Sequence, residues 1–279
     1  MLLAVLGAGI VDPATPVIRA DDPGLTRGDG CFEGARLLTR ADGTRYAAKL
    51  DRHLARMARS AAALEIAFDP APWQELVAVA CAAWTGGDEA AIKLVLTRGT
   101  NGQPSGFLTV VALDPDWARQ RVEGIRVAVL DRGYPADAFT DTPWLLGGVK
   151  TLSYAVNMAA IREAARRGAE DVLFVSSDGH VLEAPTGTAV WASGDTLHTT
   201  PRGATGILAG TTQELLFERA AEQGWQTAHT LASVADLHDA DAFWLISSVR
   251  GPTEVIELAG RPRQRRPDLD GEIKKLSGF

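Results

Sequence analysis

The apolar positions of this chain change period several times, and each change marks an element. Leu54, Met57, Ala61 and Leu64 recur at helical steps after Asp51, which predicts a helix near 51–64 with Asp51 as its N-cap. Pro72 opens a second predicted helix that runs to about Trp84 and is stopped by Gly86-Gly87. Ile92–Thr97 and Phe107–Leu113 flank a turn-rich stretch and read as a hairpin. The polar run Asp114–Glu123 contains Pro115 and reads as a linker, separating a domain of residues 1–117 from one of residues 118–279. Beyond it come a strand at Ile125–Leu130, a Gly/Pro-punctuated loop at Asp131–Pro143, and a helix from about Leu152 to Arg167. Val172–Val175 and His180–Glu183 flank Asp178-Gly179, a hairpin turn signal. Thr211 starts another helix that stops at Gly224, and Phe243–Ser247, apolar up to its final serine, predicts a buried strand. Strands and helices mix without a regular βαβ repeat, so the pattern favours two α+β domains over one parallel sheet.

Composition narrows the function classes. The chain has 279 residues, 46% hydrophobic and 23% charged, with a formal net charge of −7. An acidic chain with no basic run is a poor partner for nucleic acid or an anionic membrane surface. No apolar stretch approaches the roughly 20 residues of a transmembrane helix. The two cysteines cannot build a disulfide framework, and with no leader-like start a cytoplasmic location is expected. The five histidines show no ligand-like spacing, so no metal site is expected. Only five of the 28 Lys+Arg residues are lysines: Lys49, Lys93, Lys150, Lys274 and Lys275. Lysine chemistry therefore has few places to occur.

Two segments carry candidate chemistry. Lys150 follows the apolar stretch Trp144–Val149 and precedes a predicted helix. Apolar surroundings disfavour the ammonium form, and a neutral amine is what attacks a carbonyl. The alternative is a solvated lysine at a helix start. In Gly206–Glu214, Gly210 lets backbone approach a ligand, and hydroxyls at a helix N-terminus suit phosphate. The alternative is a plain helix capped by a Thr211-x-x-Glu214 box. Gly7-Ala8-Gly9 resembles the start of a dinucleotide loop, but Pro13 and Pro16 fall where its helix should begin, so a hairpin is predicted.

In order along the chain, these pieces resemble the class IV, fold-type IV pyridoxal-phosphate enzymes. Arg27-Gly28-Asp29-Gly30-Cys31-Phe32-Glu33 is similar to the family's opening motif, and His53-Leu54-Ala55-Arg56 to the segment whose arginine grips the cofactor phosphate. Leu96-Thr97-Arg98-Gly99 follows, then Lys150 at the position of the Schiff-base lysine. Glu183 matches the carboxylate that faces the pyridine nitrogen, Gly206–Thr212 the phosphate loop, and Ser247-Ser248 the second phosphate-side turn. There are departures. Thr188 stands where the family usually has Asn, and Tyr154 sits four residues after the lysine where the branched-chain enzymes have five. Val149–Asn157 and Ser247–Gly251 look most like aminodeoxychorismate lyases.

The resemblance implies an α+β, two-domain fold of the D-amino-acid aminotransferase type, a homodimer, and pyridoxal 5′-phosphate between the domains. It implies Lys150 as base and Schiff-base residue, with Arg56, Tyr154, Glu183, Leu208, Thr211, Thr212 and Ser248 around the cofactor. Arg56 could equally belong to a solvated face, since Arg52, Arg56 and Arg59 share helical spacing. The implied reaction converts 4-amino-4-deoxychorismate to 4-aminobenzoate and pyruvate. That substrate carries two carboxylates, for which Arg98, Arg250 and Arg27 are the candidates, whereas Asp29 and Glu33 are expected to stabilise the opening loop. The alternatives are a branched-chain or D-amino-acid aminotransferase on the same residues, and a non-catalytic phosphate-ligand domain that would not need Lys150.

Overall fold

A computed structural model describes all 279 residues, which divide into two units. The first comprises residues 1–114 with 149–154, and the second 115–148 with 155–279. The division falls close to the expected boundary, but the lysine segment, expected in the second domain, belongs to the first unit.

In the first unit the chain runs β1 (Leu2–Val5), β2 (Gly9–Val11), α1 (Pro23–Arg27), β3 (Gly30–Thr39), β4 (Arg45–Ala47), α2 (Leu50–Ala63), α3 (Pro70–Ala83), β5 (Glu89–Thr100) and β6 (Gln103–Ala112). The strands form one antiparallel sheet in the order β2-β1-β6-β5-β3-β4. The Gly7-Ala8-Gly9 segment is a hairpin turn between β1 and β2, as its prolines predict. Alternate residues of β3, namely Cys31, Ala35 and Leu37, join Leu54, Met57 and Ala61 of α2 and Trp73, Leu76 and Ala80 of α3 in one core. The helix spacing read from the sequence thus reports a real buried stripe. Its start differs: Lys49, at φ 57°, is the N-cap and makes no side-chain cap, while Asp51 lies inside the first turn. The second helix begins two residues earlier than predicted, because Asp69 caps it by accepting from the Ala71 N–H at 3.0 Å.

In the second unit the order is α4 (Pro115–Glu123), β7 (Ile125–Asp131), a 3₁₀ turn (Pro143–Leu145), α5 (Ala155–Arg166), β8 (Asp171–Val175), β9 (Thr188–Ser193), β10 (Thr196–Thr199), α6 (Thr211–Glu222), β11 (Gln226–His229), α7 (Val234–Asp239), β12 (Ala242–Ser247), β13 (Gly251–Leu258), β14 (Arg261–Pro262) and α8 (Pro267–Ser277). The sheet order is β11-β10-β9-β12-β13-β7-β8, with β14 added on β13. Phe243 and Leu245 of β12 pack into one core and Ala242, Trp244 and Ile246 into another, so the strand is buried on both faces as its apolar run predicts.

Three expectations fail locally. The supposed linker is helix α4: Pro115 sits at its start, Asp116 in its first turn, and Arg119 pairs with Glu123 one turn on. The apolar stretch Trp144–Val149 does not bury the chain ahead of Lys150: Leu146 and Gly148 take left-handed φ values of 57° and 72°, and Trp144 is 72% exposed. The following helix starts at Ala155, three residues late, because residues 150–152 are pinned to β3 instead. No helix is long and apolar enough to cross a membrane.

Candidate active site

Lys150 is fixed through its backbone. Its N–H donates to Ser60 Oγ at 3.2 Å, and its carbonyl accepts from the Phe32 N–H at 3.1 Å. Leu152 N–H donates to the Gly30 carbonyl at 2.9 Å, and Cys31 and Thr151 form an antiparallel bridge. The segment is thus a short added strand on β3. The glycines of the opening motif make room for it: a Cβ on Gly28 would collide with the Ser153 side chain, and one on Gly30 would lie 2.7 Å from Leu152 Cδ1. Lys150 Nζ stands 4.3 Å from the centre of the Phe32 ring and 5.5 Å from that of Tyr154. Those two rings meet edge to face at 5.2 Å. The amine is therefore framed by aromatic rings, and Trp144 and Leu145 of the preceding stretch are exposed.

Arg56 is on α2, one turn before Ser60, so the same helix carries the arginine and holds the lysine segment. Arg56 is buried, which removes the solvated-face alternative. Its Nε donates to Glu33 Oε1 at 2.6 Å and its Nη2 to Oε2 at 2.8 Å, a two-pronged fork. His53 Nδ1 lies 2.8 Å from the same Oε2. Burial alone would raise the Glu33 carboxyl's pKa, but the Arg56 charge and the bonds from Arg56 and His53 outweigh it and pull the value down to about 2. Burial lowers the pKa of His53, and the charges of Arg56 and Lys49 act the same way against its bond to Glu33. A neutral His53 beside an acceptor-only carboxylate must carry its proton on Nδ1. Glu33 therefore grips α2, where the sequence suggested it would brace the opening loop. Asp29 does brace that loop, through Arg98.

Arg98 lies near the end of β5. Its Nε and Nη2 bond Asp29, Nη2 also reaches the Leu64 carbonyl at 2.6 Å, and Nη1 the Glu65 carbonyl at 3.4 Å. It is a strut between loop and helix end, with its side chain 40% exposed. Arg27 is exposed in the last turn of α1.

In the second unit, α6 begins at Thr211 with Gly210 as N-cap and no capping side chain. The capping-box expectation fails because the Glu214 carboxylate is taken by Arg202 Nη1 at 2.7 Å. Instead Ser248 Oγ lies 2.9 Å from Thr211 Oγ1 and 3.0 Å from Thr212 Oγ1. Three hydroxyls, each able to donate, therefore meet at the start of the helix. The first N–H groups of the helix have no intrahelical acceptor. Together they make a donor-rich site that suits a phosphate. Glu183 follows the Asp178-Gly179 turn beside β8, where its carbonyl accepts from Phe174 N–H at 2.9 Å, and its Oε2 accepts from the Leu208 N–H at 3.1 Å. Thr188, in the place expected for Asn, is buried with its hydroxyl directly against Gly210. Arg250 is 7% exposed and its Nη2 bonds the buried Asp171 carboxylate at 2.6 Å, while its Nε is buried with no hydrogen-bond partner.

Each unit carries groups that suit part of pyridoxal phosphate in kind: the first a held amine for an aldehyde and an arginine for a phosphate, the second a carboxylate for a ring nitrogen and a hydroxyl-rich helix start for a phosphate. Sequence reasoning missed Ser60 and Phe32 as the lysine's supports. The four-residue step from Arg56 to Ser60 was the available signal.

Comparison with known proteins agrees with this chemistry. A sequence model of amino-transferase class IV matches residues 30–258. A Mycobacterium tuberculosis protein described as a bifunctional aminodeoxychorismate lyase / D-amino acid transaminase is 40% identical over 277 residues, covering 95% of this chain and 94% of its own. A hypothetical aminotransferase from the same organism, solved in a PLP-bound form, superposes with a TM-score of 0.94 at 37% identity, covering 100% of this chain and 98% of its own. A fold IV transaminase from Curtobacterium pusillum gives 0.89 at 40% identity, covering 99% of this chain and 97% of its own. The chain belongs to the class IV aminotransferase family, the fold-type IV enzymes that use pyridoxal 5′-phosphate.

Proposed function

We propose that this enzyme is a lyase that converts 4-amino-4-deoxychorismate to 4-aminobenzoate and pyruvate. The observation that carries the reading is 40% identity along 95% of the chain to a relative whose name begins with that activity. The motif around Lys150 supports it. The arginine argument does not, because Arg98 and Arg250 are engaged inside the fold.

Pyridoxal phosphate, when bound, is an electron sink for the carbon that bears a substrate's amine. Lys150 Nζ would hold the resting cofactor and would take the proton from that carbon. The C–O bond to the neighbouring enolpyruvyl group breaks, and the ring becomes aromatic. Atom balance requires a proton on the methylene carbon of the departing group to give the methyl of pyruvate, and Lys150, carrying the proton it has taken, would return it. Glu183 holds the proton at the pyridine nitrogen. Its Oε2 is oriented by the Leu208 N–H, which fixes the direction of the carboxylate. Arg56 and the Thr211, Thr212 and Ser248 hydroxyls anchor the phosphate, and Tyr154 flanks the amine through its contact with Phe32.

The second reading is a D-amino-acid transaminase, which the other half of the relative's name favours. The two differ in what regenerates the enzyme: elimination needs no partner, whereas transamination stalls until a 2-oxo acid arrives. Supplying aminodeoxychorismate alone is expected to give many turnovers per site. A single half-turnover, rescued by 2-oxoglutarate or pyruvate, would make the enzyme an aminotransferase.

A further inference from the structure

The Glu33, His53 and Arg56 cluster is the most completely buried charged group in the first unit. Glu33 and His53 are both 0% exposed, and Arg56 is 5% exposed. Nothing in the reaction uses Glu33 or His53, yet removing one partner of a buried ion pair is strongly unfavourable, so the group is under physical constraint. A lone arginine on a helix face samples several rotamers. Here the two-pronged fork along the Nε and Nη2 edge fixes the plane of the guanidinium. His53, donating from Nδ1 to Oε2, fixes the plane of the carboxylate in turn. Its Nε2 is buried with no hydrogen-bond partner, so the ring bonds only through the face it turns to Glu33.

We propose that Glu33 is a positioning residue for phosphate recognition: it aims Arg56 at the cofactor phosphate, and His53 aims Glu33. The inference rests on the reading of Arg56 as a phosphate ligand. A positioned arginine should discriminate between ligands that carry the phosphate and ligands that lack it, whereas a purely structural pair should affect both alike.

The test compares the affinities of the cofactor-stripped full chain for pyridoxal phosphate and for pyridoxal, which keeps the ring and aldehyde without the phosphate. Arg56→Ala is expected to reduce the preference for the phosphorylated ligand by roughly 10- to 150-fold. Glu33→Gln keeps an acceptor but loses the charged fork, and is expected to reduce the same preference about tenfold while pyridoxal affinity stays near wild type. Equal losses for both ligands in Glu33→Gln, or an unchanged preference, would overturn the positioning role. An unchanged preference in Arg56→Ala would overturn the reading of Arg56 itself, and the two failures are thereby distinguished. If Glu33→Gln does not fold, Glu33→Asp serves. It retains the charge but is one methylene too short to reach both nitrogens, so the same drop in preference is expected. Wild-type preference in Glu33→Asp would show that charge alone, without aim, suffices.

Discussion

Glu33 shows at single-residue scale how a buried charge links pH to stability. Its carboxyl titrates near 4.5 in the unfolded chain and at about 2 in the fold. A depressed folded value means the stabilisation is complete above about pH 4.5 and is lost as pH falls toward 2. That shift corresponds to on the order of 3 kcal/mol. His53 acts in the same direction from a higher pH. Its folded pKa lies below 6.5, so the neutral ring stabilises the fold above that value and the benefit declines in acid. Urea unfolding at pH 7 and pH 3 should therefore show a large loss in the wild type and a smaller one in Glu33→Gln, which has no carboxyl to protonate there. An equal loss in both would mean that Glu33 is not the titrating group. The sequence identified Arg56 as a motif residue but not its partner, because Glu33 lies 23 residues from Arg56 and 20 from His53. The motif around Arg98 was likewise legible, whereas its acceptors at Asp29 and Leu64 lie 69 and 34 residues away.

At the scale of elements, local chemistry was legible wherever one residue type decides the backbone. Asp178-Gly179 turns the chain with Gly179 at φ 89°, and the run of β12 is apolar up to its final serine because both its faces are covered. Prediction failed where a distant group outcompetes the local pattern. Thr211-x-x-Glu214 has capping-box spacing, but Arg202 takes the glutamate and leaves the helix start to hydroxyls. The added strand at 150–152 was likewise invisible, since its partner is a glycine-bearing edge of β3 that spacing around Lys150 does not report. That edge is testable. A Cβ on Gly30 would lie 2.5 Å from the Leu96 carbonyl and 2.7 Å from Leu152 Cδ1. Gly30→Ala should cost about 1–3 kcal/mol, the usual range for overpacking. It should lower the thermal midpoint by several degrees and weaken the visible band of the bound cofactor. A variant that melts with the wild type and keeps full colour would show that the lysine segment does not depend on this contact.

At the scale of the whole molecule, fold class and the order of motifs were legible because seven ordered segments fix a family even when single positions vary. Thr188 in place of the usual Asn is one such variation, and it leaves the helix start at Gly210 intact. The domain line was less legible. A polar, proline-bearing run separates the units after Asp114, but residues 149–154 return to the first unit through backbone pairing that composition cannot express. The account as a whole stands on one amine. Lys150 and Lys93 both approach the Phe32 ring, at 4.3 Å and 4.8 Å from its centre, so the structure itself supplies the competitor. Borohydride reduction of the holoenzyme fixes the cofactor to whichever lysine carries it, and peptide mapping then identifies that residue. The account predicts the label on Lys150 alone, with Lys150→Ala folded but colourless. Label on Lys93 or Lys49 would contradict it.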